Sequence, residues 1–426
     1  MRPVSLLRAA LGGLALLAFA PSAHAQFRAL GQDAIFSTPS PVRLAQGNAY
    51  VAAPSRETAL FGNPAHLSYL GGRLPKVNLG LMASVGGNVR EAYDFYNQQL
   101  GPAIEEGLDE IRTNDPNRLQ TLYDDALRIG ASQKTARAGA DLTGTVTVGD
   151  IGIGGGVIGT GVTRAQMLNG GAGVPYIDLY SQADLLIPVA ASYRLHGPAM
   201  GALAAISGVP SSIAGGIEIA YGRRWLTAKS GTVDAFDPDG EKLYLFTGSA
   251  VSVGLGLQAE DVGLPGIDVG LAVRNLFGSE VALELDRSWD VSGSDGQPDD
   301  PAEIAAIEQR FAQRGAAPAV RAGVSYRLPI PVTEIADARV SADYTNRSTS
   351  EYDQSFQAGL RLGAQATVIR MLDLRAGVSQ GLPSVGAGLR LPGFRIDYAT
   401  YGVEDGALLG QLPRRAHMLQ LRFGIY

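Results

Sequence analysis

Residues that commonly carry out chemistry are few in this chain and stand far apart. Beyond residue 25 the histidines are His66, His196 and His417, and their separations match no metal-binding motif. The chain contains no cysteine. His196 or His417 could supply the base of a Ser–His pair, but no residue stands in a motif that marks a nucleophile. The sequence therefore predicts that the protein is not an enzyme and that it has no metal and no cofactor.

One stretch, Gly154 to Gly159, formally matches the dinucleotide-binding pattern G-x-G-x-x-G. A dinucleotide site requires a helix to begin at these glycines. Here Thr160 to Thr163 continues the alternation of a strand instead. We therefore interpret the glycines as small residues at a place where another segment crowds the strand.

Charged side chains at alternate positions of predicted strands are the remaining candidates for a functional site. They could form a field that selects ligands, or they could pair across neighbouring strands. We favour cross-strand pairing because it needs no ligand. The set comprises Arg321, Arg327, Arg339, Asp343, Arg361, Asp373, Arg375, Arg395 and Asp397.

The stretches that carry these charges alternate between apolar and polar residues. Val320 to Leu328, for example, places Arg321, Ser325 and Arg327 between its apolar residues. Such stretches are close to the ~9–11 residues that cross a bilayer as a tilted strand. In a membrane barrel the apolar face contacts lipid and the charged face lines the lumen. A periplasmic β-sandwich would show the same alternation, so the choice rests on further features.

Residues 1–25 predict a cleaved secretory signal peptide. Arg2 and Arg8 lie beside the apolar stretch Leu6 to Phe19, and Ala23-His24-Ala25 supplies the cleavage site. The apolar stretch is shorter than the ~20 residues of a spanning helix, which argues against an uncleaved anchor. The protein is therefore predicted to be exported.

The composition favours the barrel and excludes one class of partner. The chain has 35 basic and 41 acidic residues and a net charge of −6, so it lacks the basic stripe of a nucleic-acid-binding protein. Its 55 glycines in 426 residues exceed the usual share of ~7%. An exported chain without disulfides needs another source of stability, and a closed β-ladder, which has no edge strand, provides one.

We therefore predict an all-β fold, a transmembrane antiparallel β-barrel of about 14 strands over residues 76–426. Its expected location is the outer membrane of a Gram-negative bacterium, with the membrane lipid as a partner. Apolar residues at three- and four-residue steps predict a helical insertion at residues 90–130, and Asn114-Asp115-Pro116 divides it into two short helices. An irregular insertion is predicted at residues 278–318, with a short helix that begins at Pro301.

The stretch from Leu44 to Leu70 is neither a clean strand nor a clean helix. Within it, Pro64 fixes its own φ and biases Asn63 toward extended geometry, which predicts one sharp bend. We expect residues 26–75 to fold back into the barrel as a hatch, a segment that plugs the lumen. The predicted hatch-fixing residues are Gly47, Asn63, Pro64, Ala65 and Leu67.

Residues 47–67, GNAYVAAPSRETALFGNPAHL, resemble the N-terminal segment of FadL-like outer-membrane proteins. The resemblance is closest to the branch that contains TraF-type proteins of plasmid conjugation and PorV-type proteins. A second matching stretch lies near the C-terminus, at Arg375 to Val378 and Asp397 to Ala399.

The resemblance implies a fourteen-stranded barrel with a hatch in its lumen, and it leaves two functions open. Some relatives pass hydrophobic molecules across the outer membrane, which would make Tyr50, Phe61 and Tyr69 candidates for an apolar ligand pocket. Others are structural or accessory components of secretion or conjugation systems without transport activity. In that case residues 90–129 would present an apolar surface to a protein partner.

Overall fold

The computed structural model describes residues 38–71, 75–130, 134–169, 175–197, 210–232, 242–278, 281–290, 301–312, 318–330, 334–346, 356–404 and 413–424. The predicted signal peptide and the first part of the predicted hatch, residues 26–37, lie outside these ranges.

The chain forms a closed antiparallel β-barrel of 14 strands, as the alternation predicts. The strand segments are β1 Lys76–Gly86, β2 Lys134–Val148, β3 Ile151–Asn169, β4 Pro175–His196, β5 Ser212–Thr232, β6 Lys242–Glu260, β7 Ile267–Arg274, β8 Glu284–Asp290, β9 Ala319–Arg327, β10 Ile335–Thr345, β11 Leu360–Val368, β12 Leu372–Ser379, β13 Leu382–Leu391, β14 Phe394–Glu404 and β15 Pro413–Gly424. The segments pair in sequence order, except that β7 pairs with β9 and β8 pairs with β6, and β1 pairs with β15 to close the barrel. We call the end where β1 begins and β15 ends the lower rim, and the opposite end the upper rim.

The alternation sorts side chains between the outside and the lumen. On β1, Val77, Leu79 and Leu81 point outward and are 45–48% exposed, whereas Asn78 and Met82 are buried inside. The same phase holds on β15, where Leu419 and Phe423 are exposed outside. The result is a barrel with an apolar outer belt and a mixed polar and apolar lumen. Within the described ranges, no helix has the length and apolar character needed to cross a membrane.

Four strands exceed the predicted length. The segments β3 to β6 have 19, 22, 21 and 19 residues. Their outward positions become polar toward the upper rim, where Thr163 hydrogen-bonds Ser181 at 2.9 Å and the guanidinium of Arg223 lies 5.1 Å from the centre of the Trp225 ring. The wall on this side therefore rises above the apolar belt, which a length estimate based on apolar alternation misses.

The seventh strand of the barrel is interrupted. β7 pairs with β9 and with the lower part of β6, whereas β8 pairs with the upper part of β6. Between them, Phe277 is 79% exposed outside, but Val281 and Leu283 are buried in the lumen. The sequence predicts residues 278–318 as irregular, and the strand β8 inside that interval is a difference from the prediction. The short helix predicted at Pro301 is present as Pro301–Ala312.

The predicted helical insertion lies at the upper rim, between β1 and β2. It consists of Val89–Phe95, a π-helical turn Tyr96–Leu100, Gly101–Glu106, Leu108–Asn114 and Pro116–Gly130. It is therefore divided more finely than the two helices predicted. The predicted boundary at Asp115 is present, because its Oδ1 accepts from the amide of Arg118 at 3.1 Å and caps the last helix.

Residues 38–71, which we call the N-terminal segment, lie inside the barrel. The segment contains the helices Pro41–Ala45 and Arg56–Ala59 and the 3-10 helix Pro64–Tyr69. The first helix packs against β12 to β15, and the 3-10 helix packs against β2 to β6. The segment thus spans the lumen from one side of the wall to the other.

Glycines in the wall let the segment approach closely. A Cβ atom on Gly216 of β5 would lie 2.5 Å from the amide nitrogen of Ala65, and one on Gly377 of β12 would overlap the backbone at Gly47. Gly152 and Gly154, near the formal G-x-G-x-x-G match, likewise face Leu67. These glycines therefore mark the track of the segment on the wall, in agreement with the crowding that the sequence suggests.

We expect Gly377→Ala to displace the segment without breaking the barrel, because the added Cβ would overlap backbone rather than a flexible side chain. Trypsin should then cleave purified protein at Arg43, which is buried, and at Arg56, which is half-buried. Gly159→Ala is the matched control, since a Cβ there meets nothing within 4 Å. Equal protection of both variants would contradict this account of the wall glycines.

Candidate functional site in the barrel lumen

Side chains of the wall bind the backbone of the N-terminal segment. Asp343 of β10 accepts from the amides of Tyr50 and Val51 at 2.7 and 2.9 Å. The carbonyl of Ala52 accepts from Gln258 and Ser325 at 3.1 and 2.8 Å. Irregular backbone inside a barrel lacks ladder partners, so these polar side chains replace them.

The Asn63-Pro64-Ala65 bend forms the centre of the segment. Asn63 is fully buried, and its Nδ2 donates to the carbonyls of Val51 and Leu257 at 2.9 and 3.0 Å. Its Oδ1 accepts from the amide of Ala65 at 3.1 Å and so caps the 3-10 helix that Pro64 begins. Asn63 therefore joins two parts of the segment to β6.

His66 supports the same bend. Its Nδ1 lies 2.8 Å from Thr58 Oγ1, and its Nε2 lies 3.0 Å from the Val51 carbonyl and 3.2 Å from Gln258 Oε1. Burial lowers the pKa of His66 to about 4, and the positive charge of Arg339 acts in the same direction. The imidazole is therefore neutral at pH 7.

An ionic contact holds the other side of the segment. Glu57 pairs with Arg422 of β15 at 2.5 Å and with Arg395 of β14 at 3.5 Å. Burial alone would raise the pKa of Glu57, but the two guanidiniums outweigh it and lower this pKa well below its ordinary value. Glu57 is therefore a buried carboxylate that ties the segment to the wall.

The predicted charged residues fall into three groups. Asp373, Arg375, Arg395 and Asp397 pair with one another across β12 and β14, at distances of 2.7–3.0 Å. A second group lies at the segment or the strand ends: Arg321 donates to the Asn48 carbonyl at 2.7 Å, and Arg361 donates to the carbonyls of Ala358 and Leu360.

The third group, Arg327 and Arg339, makes fewer close contacts with carboxylates than the first. Arg327 approaches Asp268 at 3.3 Å near the lower rim, where it is partly exposed. Arg339 lies in the electrostatic surroundings of His66, and its Nε is buried without a hydrogen-bond partner. The charges of the lumen thus pair across strands and also hold the segment, a second role that the sequence does not reveal.

The three aromatic residues predicted to line one apolar pocket occupy different surroundings. The ring of Tyr50 lies between the guanidiniums of Arg43 and Arg321, at 5.3 and 4.5 Å from the ring centre. Burial raises the pKa of Tyr50, but the neighbouring guanidiniums outweigh this effect and lower it. Tyr69 hydrogen-bonds Ser212 at 3.0 Å near the lower rim. Only Phe61 packs in the apolar part of the lumen.

That apolar part, which we call the apolar lumen, lies along β3 to β6. The segment contributes Leu60, Phe61 and Leu67, and the interruption of the seventh strand contributes Val281 and Leu283. The wall contributes Ile158, Tyr180, Leu186, Leu226, Tyr244 and Phe246. The N-terminal segment therefore covers these apolar side chains on the side of the lower rim. Val281 and Leu283 of the interrupted strand pack against the same side chains.

A cavity of about 60 Å³ lies between the segment and strands β1, β2, β3 and β15. Leu60, Phe61, Met82 and Ile158 form its apolar side, and charged residues that include Arg43, Glu57 and Asp141 form the other. A cavity that takes benzene measures about 150 Å³. The cavity is thus too small for an aromatic molecule while the segment stays in place.

Several residues of this site carry no sequence signal. Glu57 and Gln258 stand in no motif, and their partners are far away in the chain. The three histidines also do not come together: His66 lies in the lumen, His196 pairs with Asp150 at the lower rim, and His417 bonds Tyr398 on the outer face. The arrangement binds a segment of the chain rather than assembling reactive groups.

We expect Glu57→Gln to loosen the segment strongly, because loss of one partner leaves Arg395 and Arg422 buried with less compensation, a cost of about 3–5 kcal/mol. Trypsin cleavage at Arg56 in purified protein measures the effect. Glu91→Gln is the control: it removes an exposed pair with Arg128 on the helical insertion, which should change little. Equal cleavage of both variants would show that Glu57 does not hold the segment.

Acidification should loosen the segment in two separate ranges of pH. The pKa of His66 is about 4 while the segment is docked and the ordinary ~6.5 when the segment is released. Between about pH 4 and pH 6.5 the released state therefore binds more protons than the docked state. Docking therefore weakens as the pH falls below about 6.5, and protonation of Glu57 adds to this only below about 4.3. Conductance in planar bilayers at pH 7 and pH 5 measures the first range. His66→Gln should remove that pH dependence, and retention of it would contradict the assignment.

No protein-family model and no curated protein matches the chain. Solved structures do. The toluene transporter TbuX of Ralstonia pickettii has a TM-score of 0.51 at 11% identity, over 90% of this chain and 97% of that one. The toluene transporter TodX of Pseudomonas putida has a TM-score of 0.49 at 10% identity, over 92% and 99%.

A Pseudomonas aeruginosa FadL homologue has a TM-score of 0.42 at 11% identity, over 92% of this chain and 99% of that one. At such identities the likeness concerns the fold. This chain is a closed 14-stranded β-barrel, and its fold is similar to that of TbuX.

Proposed function

We propose that this protein is an outer-membrane channel for hydrophobic small molecules and that its N-terminal segment acts as a hatch. One observation carries the proposal: the segment directly covers the apolar lumen, with Leu60, Phe61 and Leu67 packed against wall residues. A lumen that served only as a structural core would need no interrupted strand beside it. TbuX, which shares the fold, is a toluene transporter.

The position in the membrane follows from the outer surface and the connections. Exposed apolar side chains such as Leu79, Leu419 and Phe423 form the lipid-facing belt of the proposed barrel. The helical insertion lies at the upper rim, and a two-residue turn joins β2 and β3 at the lower rim. Bacterial barrels have short periplasmic turns and longer extracellular loops, so the upper rim would face outward from a Gram-negative cell.

The alternative, an accessory role in secretion or conjugation, predicts an apolar surface on the helical insertion. The insertion instead packs Phe95, Leu100, Ile111, Leu119 and Leu122 into a cluster of its own. Tyr93 and Tyr96 are exposed, but they stand among charged side chains. We therefore favour transport, and the narrower likeness to TraF-type and PorV-type proteins remains a prediction from sequence.

Locking the segment to the wall tests the proposal. The Cβ of Ala49 lies 3.2 Å from the position of a Cβ on Gly363, close to the ~3.8 Å of a disulfide, and the chain contains no other cysteine. In cells that express Ala49→Cys/Gly363→Cys, the oxidised protein should lose uptake of radiolabelled toluene, and reduction should restore it. A Cβ on Gly363 would also lie 2.6 Å from the Gln46 carbonyl. The single variants are therefore controls that measure this crowding, and their uptake should not change on oxidation or reduction.

Two outcomes would count against the proposal in different ways. Unchanged toluene uptake by the oxidised double variant would show that passage does not need movement of the segment. Uptake by the wild-type protein no faster than in cells without it would contradict transport of a neutral aromatic hydrocarbon.

A further inference from the structure

The charged side of the 60 Å³ cavity contains a buried arginine, Arg43. Arg43 is 5% exposed, and its guanidinium donates to the carbonyl of Phe61 and the hydroxyl of Thr38, both at 3.4 Å. Within the described residues, no carboxylate lies at ion-pair distance from it. Tyr50 also interacts with this guanidinium and favours its charged form. A buried guanidinium without a paired carboxylate is costly unless another anion accompanies it.

The surroundings of Arg43 add positive charge. Arg274 and Arg321 both lie within its electrostatic range, and both disfavour its charged form. Glu218 is the acid that faces Arg43 and Arg274 from β5, and Asp343 lies nearer to Arg321, at 3.9 Å. Arg361 also neighbours Arg321 and Asp343, so among the described residues four guanidiniums lie near two carboxylates in this part of the lumen.

Two hydrogen-bond donors on the cavity wall have no acceptor. The Nε of Arg43 and the Oγ of Ser40 are both buried without a partner, and both residues line the cavity. Arg56 and Arg422 are two further guanidiniums on the cavity wall. Glu57 is bound to Arg422 and Arg395, and Asp141 accepts from Gln420 at 3.3 Å. The carboxylates on the wall therefore have their own partners, while the donors of Arg43 and Ser40 remain available.

We propose that this cavity binds one small monovalent anion of carboxylate type, held by Arg43 and Ser40. A carboxylate matches the planar edge of a guanidinium and can accept from a hydroxyl at the same time. A volume of about 60 Å³ suits a group of a few heavy atoms such as formate or acetate. Asn78 Oδ1, an acceptor without a donor on the same wall, would take a hydrogen bond from a water beside the anion.

The anion would help to keep the segment in place, because Arg43 and Ser40 belong to the segment and the opposite wall belongs to the barrel. The site borders the apolar lumen, with which it shares Leu60, Phe61 and Ile158, and the anion would lie on its charged side. While the segment is docked, the cavity is too small for a toluene-sized molecule. Binding of the anion can therefore be tested without any transport assay.

Titration calorimetry of the purified full-length barrel with sodium formate, at constant ionic strength, tests the site. Wild-type protein should bind one formate per chain, Arg43→Met should abolish binding, and Ser40→Ala should weaken it about tenfold, as expected for loss of a hydrogen bond to a charged group. Arg118→Met is the control, because Arg118 pairs with Glu106 on the exposed insertion. The affinity of this variant for formate should equal that of the wild-type protein.

Ser40→Ala also covers the case in which Arg43→Met fails to fold, since it removes only a hydroxyl. Absence of formate binding by the wild-type protein, or full binding by Ser40→Ala, would overturn the proposal. Benzoate provides the second arm and should not compete with formate, because its ring exceeds the cavity. Acetate, which fits the cavity, should compete with formate. If benzoate competes as strongly as acetate, the ligand is not a free small ion, and the site would instead bind the head group of a transported molecule.

Discussion

An irregular stretch of backbone inside a barrel must find hydrogen-bond partners outside the β-ladder, and this constraint shapes the whole lumen. Asp343 accepts from two successive amides of the N-terminal segment, and Asn63 joins the segment to itself and to β6. Gln258 and Ser325 both donate to the Ala52 carbonyl. The polar residues at inward positions therefore lie where the backbone of the segment needs hydrogen-bond partners, and not only where the lumen contacts water.

The glycine content has the same origin. Glycine in a strand is unfavourable by about 0.5–1 kcal/mol relative to alanine, so a wall rich in it needs a compensating contact. At Gly216, Gly256 and Gly377 that contact is the segment itself, whose atoms occupy the place of the missing Cβ. The high glycine content, which is typical of barrel strands, thus also marks where the N-terminal segment crosses the wall.

The strands of the wall could be predicted from the sequence, whereas most contacts inside the lumen could not. Alternation is a local signal imposed by the difference between the outer face and the lumen, so the fourteen-stranded barrel and the phase of strands such as Val320 to Leu328 could be predicted. Contacts such as Glu57 with Arg422 join residues far apart in the chain and leave no local trace. Tyr50 shows the limit most clearly, since an aromatic predicted to face a ligand lies between two guanidiniums. The strand β8 escaped prediction because charged residues break its alternation.

The two sides of the segment meet the wall through different forces, and this asymmetry bears on how it could move. Toward β14 and β15 the contact is ionic, through Glu57. Toward β3 to β6 the segment packs Leu60, Phe61 and Leu67 against the wall, and Asn63 and His66 add hydrogen bonds to β6. Ion pairs are directional and are lost when one partner shifts, whereas apolar side chains can slide past one another and exchange neighbours at low cost. A hydrophobic molecule in the apolar lumen would compete with Leu60 and Phe61 for the same wall and would leave the ionic side intact. We therefore expect the segment to tilt about its charged side rather than to leave the lumen as a whole.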